Sequence, residues 1–468
     1  MRCLLTIFPF AAAGVAATTS SSDNGAVNER DVIIIGGGSS GTYAAVRLQE
    51  EGYTVALLEK EDHLGGHTVT YTDPDTNQAF NLGVAAFQDS PIVRNYFRSL
   101  DVPFGKREAE NGALKQGFYD FSTGRTVKGY KPDSKGVLDA AMQKYSQLFN
   151  SRYPYLDLGY DIPDPVPEEL LAPYSEFIEA NDLGPIVQRV NAHGCKGNLL
   201  ERPTLYGLKV FNPSRIQAAD TGFIYAASGD NCDLYRAAEK HLEDVVLQAQ
   251  IQKVKRSGHG VWVWAKTPNG SVLFKAKKLI LAIPPTLQNL EDIGLDLTQQ
   301  EKHLLGKFNS FLYGSMVLTH KGIQDRVLNN IGTDTPYNLS KLPGTYHINT
   351  LANGNITTNK VSAHFGGLDV EMTENDIKQL VADELGNLAR QGAIGEGEPD
   401  FVYFTNHSPY HLHVSADDVR EGFYRKLYAL EGQKSTFWTG AAFVDNDSTL
   451  LWIWTETYLL QLILESLV

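Results

Sequence analysis

Gly36, Gly38 and Gly41 have the spacing with which a strand-to-helix turn carries a pyrophosphate, and Ser40 stands between the last two. Gly36 permits the tight turn, Gly38 lets the backbone approach the phosphates, and Gly41 lets helix and strand pack closely. The helix that follows presents unpaired N–H groups and a partial positive charge to the anion. Glu59, 21 residues beyond Gly38, is placed to accept hydrogen bonds from the ribose hydroxyls of an adenosine. The chemistry these residues can do is to hold a dinucleotide.

The elements needed to position them are present in register. Asp31 to Ile35 is a short β-branched run suited to a buried parallel strand. Thr42 to Leu48 has helical spacing, and Thr54 to Leu58 is a second strand ending at Glu59. Later stretches repeat the logic. Leu234 to Leu242 reads as a helix and Val245 to Val254 as one strand. Asn269-Gly270 marks a hairpin turn, and Lys278 to Ile283 is a strand stopped by Pro284-Pro285. A last strand ends at Gly440, and Asp447 or Ser448 caps a helix whose first turn includes Thr449. That helix start is expected to face the flavin end of a cofactor.

The bulk properties limit what else the chain can be. Its 468 residues, 42% hydrophobic and 21% charged, suit a globular protein of two or three domains. With 55 acidic against 41 basic residues the formal charge is −14, which repels a nucleic-acid backbone. Residues 1–17 read as a secretory signal peptide, basic at Arg2, apolar to Val15 and closed by small residues. Beyond it no run is long enough to span a bilayer, so a soluble protein of the secretory pathway is expected. Sequons at Asn269, Asn338, Asn355, Asn406 and Asn446 are compatible with that route. Cys195 and Cys232 allow one disulfide. His193, Cys195, His407, His411 and His413 lack the spacing of a metal site, so no metal is expected.

After Glu59, the stretch Lys60 to Thr68 contains Leu64-Gly65-Gly66-His67, and Asn81-Leu82-Gly83 follows. Together with Ala282-Ile283-Pro284-Pro285 and the Gly440 return, these segments resemble the flavin-containing amine oxidoreductase superfamily. Gly36 to Tyr43, His63 to Thr68 and Gly440 to Phe443 are closest to its fungal β-cyclopiazonate dehydrogenase-like branch. The resemblance implies FAD as cofactor. Lys60, Gly65, Gly66 and His67 would lie at the flavin-side phosphate and ribose, Gly83 along the flavin ring, and Ile251 at the adenine. His67 stands where the family usually has arginine, so a permanent charge is lacking there.

The implied fold is α/β: a Rossmann-like FAD-binding domain from residues 29–98, 229–288 and 432–466, with an α+β substrate domain from 99–228 and 289–431. Phe308 to Leu318 and Lys360 to Phe365 read as strands of a substrate sheet, and Trp438 as a pocket aromatic. The implied activity is removal of a hydride from a C–H bond beside nitrogen, or in an indole-like small molecule. Oxidative ring closure on an indole or tetramic-acid alkaloid is one such reaction. A generic amine oxidase and a non-redox flavin mutase are the rival readings, and a flavin-free relative of GDP-dissociation inhibitors is a third. The residues name neither a catalytic side chain, an electron acceptor nor an oligomeric state.

Overall fold

The computed structural model of the chain describes residues 27–107, 114–193, 197–324, 326–353, 356–368 and 372–468. The signal peptide expected at residues 1–17, Cys195 and the Asn355 sequon lie outside these residues.

The β-branched run forms β1 (Val27–Ile35), whose Val32, Ile33 and Ile34 are fully buried. β1 lies at the centre of a seven-stranded sheet. On one side it pairs in parallel with β2 (Val55–Leu58), which pairs in parallel with β3 (Val245–Val246). Two further strands, β4 (Gln250–Ser257) and β5 (Gly260–Thr267), form an antiparallel meander with the first half of β6 (Gly270–Leu281). β6 pairs in parallel with β1 on the other side, and its end pairs in parallel with the strand Thr436–Trp438. Three separated stretches therefore converge on one parallel core, with helix α1 (Ser39–Glu50) connecting β1 and β2.

The stretch Val245 to Val254 is two strands rather than one. Gln248 adopts φ +52°, its amide donates to the Glu61 carbonyl at 2.8 Å, and the Ala249 amide donates to the Glu59 carbonyl at 2.8 Å. This corner turns a parallel edge strand into the meander. Alternation of side chains alone does not reveal such a corner.

The second sheet has eight strands. At its heart β7 (Asn309–Thr319) lies beside β9 (Ile356–Gly367), which pairs with β8 (Gly344–Asn353). β10 (Asp400–Asn406) and β11 (Tyr410–His413) pair with β7 on its other edge. Helix α2 (Glu374–Arg390) covers one face, where Leu312, Met316 and Leu318 pack with Ile377, Val381 and Leu385. Period-two alternation then turns Phe311, Tyr313, Ser315 and Val317 to the opposite face. There Val317 packs with Tyr71 and Leu82, which belong to the hairpin segment that follows β2. Among the described residues, no helix is long and apolar enough to cross a membrane.

Beneath that sheet, burial pushes the Glu384 carboxyl up to about 7, although it accepts the Thr345 amide at 3.2 Å. In the unfolded chain the group titrates near 4.5. Between pH 4.5 and 7 the folded chain therefore binds more protons than the unfolded one, and stability falls as pH rises through that window. Glu384→Gln is expected to remove this slope, gaining roughly 2–3 kcal/mol relative to wild type between pH 5 and 8. A Tm difference between the two proteins that does not change with pH would contradict it.

Candidate cofactor and substrate site

The glycine turn is held by contacts that exclude side chains. Gly36 has φ +108°, and a Cβ there would sit 2.8 Å from the Ala282 carbonyl oxygen. At Gly41 a Cβ would be 1.9 Å from the Gly36 carbonyl oxygen. Gly38 is the N-cap of α1 and supplies no capping side chain, so the first amides of that helix have no internal acceptor. Ser40 is buried in the turn. Glu59 accepts the Gly37 amide on Oε2 at 2.6 Å and the Glu61 amide on Oε1 at 2.9 Å. These bonds aim the carboxylate at the turn, with lone pairs left for two hydroxyl donors.

The second glycine pair closes over the first. The Gly65 amide donates to the Gly37 carbonyl at 2.8 Å, and a Cβ on Gly66 would lie 2.9 Å from the Gly38 Cα. Gly83 is tighter still, since a Cβ there would sit 1.8 Å from the His67 carbonyl oxygen. The segment after Gly83 is fixed by two asparagines. Asn231, fully buried, donates to the Val84 and Ala85 carbonyls at 2.9 and 3.1 Å. The Asn81 side chain accepts the Asn231 amide at 3.1 Å and donates to the Gly229 carbonyl at 3.0 Å. No motif identifies Asn231. Its role follows from the fold, which brings residues 81–85 and 229–231 together.

The fit to FAD can be tested on the cradle. At Gly440, with φ +115°, a Cβ would meet no atom within 4 Å, and at Gly38 it would meet only the Gly66 Cα, at 3.8 Å. Gly66, His67 and Ala85 remain exposed although the elements carrying them are packed into the core. Gly38, Gly66, Ala85 and Gly440 thus keep accessible backbone, as elements that hold a dinucleotide joined to a flavin must. His67 stands beside this backbone, its ring open on one side but enclosed by protein on the others; that enclosure pushes it down to about 4, Lys60 adding to the effect. It is a neutral imidazole at physiological pH, and the α1 terminus is left as the main electrostatic support for phosphates.

Several expected contacts are placed differently. The Lys60 side chain points into solvent beside Glu61. Ile251 sits in the meander opposite Ala265, three residues past the Gln248 corner rather than at the Glu59 tip. Thr449 has its amide taken by Asp447 at 2.9 Å, and its hydroxyl accepts the Gln88 amide at 3.1 Å. Ser448 is buried and neighbours the Tyr235 phenol. These two residues fix the start of the C-terminal helix, with the Thr449 amide already taken by Asp447. Trp438 is 1% exposed and pairs with Leu281 inside the first sheet, so it is core and not a pocket aromatic. A ring lining open space would be exposed to it.

The wall that does continue from the cofactor loop is built from histidines and tyrosines. The His67 ring is 5.1 Å from that of His407 and 6.3 Å from Tyr410. Tyr313 lies 5.3 Å from His407 and 4.8 Å from Tyr410. Its hydroxyl reaches His364 Nδ1 at 3.2 Å, as does that of Ser315 at 3.1 Å. His407 is 1% exposed, so by the same criterion as Trp438 it backs the wall behind His67 and Tyr313 and does not line it. The wall has phenol and imidazole groups able to give or take a proton and flat faces able to stack on a planar molecule. Among the described residues no group of three His, Cys, Asp or Glu side chains could hold a metal ion.

Comparison with known proteins agrees with this geometry. Residues 34–100 match the family model of NAD(P)-binding Rossmann-like domains. The FAD-dependent oxidoreductase dpchF of Colletotrichum higginsianum is 35% identical over 428 residues, covering 88% of this chain and 89% of that protein. Beta-cyclopiazonate dehydrogenase of Aspergillus flavus is 35% identical over 429 residues, 91% of each chain. Among solved structures, a fatty acid isomerase from P. acnes superposes with TM-score 0.73 at 18% identity, covering 92% of this chain and 98% of that one. Putrescine oxidase superposes with TM-score 0.65 at 16% identity, covering 94% and 100%. The fold is therefore that of the flavin amine oxidases, and the chain belongs to the family of fungal FAD-dependent oxidoreductases that includes beta-cyclopiazonate dehydrogenase.

Proposed function

We propose that the protein removes a hydride from a C–H bond beside nitrogen, or conjugated to an aromatic ring, in a flat small molecule of the indole or tetramic-acid type. The observation that carries this reading is the ring wall of His67, Tyr410 and Tyr313, backed by the buried His407 and contiguous with the cofactor loop. Bound FAD supplies the two-electron acceptor. The protein's part is to stack the substrate against the wall, exclude water and accept the proton that accompanies oxidation. The His364–Tyr313 pair is placed to accept such a proton. Loss of hydride leaves an electrophile beside nitrogen, which an internal carbon can attack with loss of that carbon's proton, closing a ring. The substrate loses two electrons and two protons in all. The printed name of the Aspergillus relative supports a dehydrogenation of this class.

The test is anaerobic addition of β-cyclopiazonic acid and of simpler indole amines to the FAD-replete protein. Bleaching of the flavin absorbance and a product lighter by two hydrogens are expected. A product of unchanged mass would overturn the proposal in favour of a non-redox reaction. We also propose entry into the secretory pathway, supported by residues 1–17 and by the exposed hairpin carrying the Asn269 sequon. Expression in a fungal host should give endoglycosidase-sensitive protein lacking residues 1–17, and an unprocessed, unglycosylated chain would contradict it.

A further inference from the structure

Three buried arginines differ in one respect. Arg256 gives Nη1 and Nη2 to Glu301 at 2.8 Å each and Nε to Asp296 at 2.7 Å. Arg215 reaches Asp447 at 3.2 Å and Asp445 at 3.7 Å. Arg202 is equally enclosed, at 6% exposure, yet its Nε and Nη1 have no hydrogen-bond partner. The guanidinium lies over the Phe311 ring at 4.3 Å and over Tyr206 at 5.0 Å. Aromatic faces offset only part of the cost of withdrawing a cation from water.

The neighbours that could supply an acceptor are committed elsewhere. The Tyr206 hydroxyl donates to the Val414 carbonyl at 3.1 Å and accepts the Val414 amide at 2.8 Å. His413 stacks on Phe311 at 4.7 Å with its Nδ1 on the His411 carbonyl at 2.8 Å. Burial, with Arg202 adding to it, pushes His413 down to about 4, so it stays neutral. The backbone is fixed, since the Arg202 carbonyl accepts the Tyr174 amide at 2.7 Å. Arg202 is thus a positioned cation with two buried donors that no described protein group satisfies.

Its place relative to the site follows from strand register. Phe311 is opposite Tyr410 and shares the face of β7 that bears Tyr313, about 7 Å further along the strand. Arg202 therefore marks the end of the ring wall, beyond Phe311. Resting on the substrate reading above, we propose that Arg202 binds an anionic group of the substrate, an ionised enol or carboxylate, whose planar body lies along Tyr410 and Tyr313 toward the cofactor loop. This gives the enzyme a preference for acidic over neutral forms of the same ring system.

The test is calorimetric titration of the FAD-replete protein at pH 7.5 with 3-acetyltetramic acid, ionised there, and with its neutral enol O-methyl ether. The acid is expected to bind about tenfold or more tightly than the ether. Arg202→Met should abolish the preference and Arg202→Lys should keep part of it, both with normal FAD content. Equal binding of the two probes by the wild type overturns the proposal, as does a preference that survives in Arg202→Met. If Arg202→Met fails to fold, the wild-type pair and Arg202→Gln decide in the same way. Because the probes bind without turnover, this outcome is separate from flavin reduction. A substrate that never bleaches the flavin would sink the hydride reading and leave the anion site standing.

Discussion

Glu59→Leu is expected to yield a folded chain that purifies nearly colourless, with FAD affinity reduced at least about a hundredfold, or ~2.7 kcal/mol. Two losses combine in this variant. The carboxylate no longer accepts the Gly37 and Glu61 amides, so the turn relaxes and the buried Gly37 donor loses its partner. The ribose also loses its only acidic acceptor in the turn. Gly41→Val should act more severely through a different cause, because its Cβ would lie 1.9 Å from the Gly36 carbonyl oxygen. Gly258, where a Cβ meets nothing within 4 Å, is the control, and Gly258→Ala should retain FAD. Flavin released by acid and quantified per chain, with far-UV circular dichroism to show folding, checks all three. FAD at wild-type content in Glu59→Leu would remove Glu59 from the site.

The second large effect is expected at the other end of the cofactor. Gly83→Ala places a methyl group 1.8 Å from the His67 carbonyl, with the His407 ring 3.2 Å away on another side. Neither neighbour can yield without moving the 83–85 segment that Asn231 clamps. The adenosine end, built from Gly36–Gly41 and Glu59, is untouched. FAD should therefore still bind, somewhat more weakly, while the rate of flavin reduction by substrate falls roughly a hundredfold, as expected for a misplacement of about 1 Å. Stopped-flow reduction of the reconstituted variant measures this. Wild-type reduction rates in Gly83→Ala would show that the segment does not position the reacting ring.

How far the sequence revealed this site depends on distance along the chain. The turn, α1, β2 and Glu59 are contiguous, and each residue's type follows from a local requirement, so they are legible without a structure. The Gly65–Gly66 pair and Gly83 are also legible, because close backbone approach admits only glycine. The ring wall is not. Tyr313, His364 and Tyr410 come from three strands and His407 from the loop after a fourth, and the register of β7 with β9 and β11 brings them together. In sequence they look like ordinary core aromatics. Trp438 shows the opposite error: it adjoins Gly440 and was expected at the pocket, but strand pairing with β6 turns it inward. Arg202 carries no sequence signal at all, since an unpaired charge is visible only once its surroundings are known.

The central claim is that the space past Gly38, Gly66, Gly83 and Gly440 holds FAD. The most direct measurement is the mass and stoichiometry of the flavin released from purified wild-type protein. One FAD per chain, lost in Glu59→Leu and kept in Gly258→Ala, is the expected result. Protein that takes up no flavin when mixed with FAD, or that binds FMN in its place, would contradict the account.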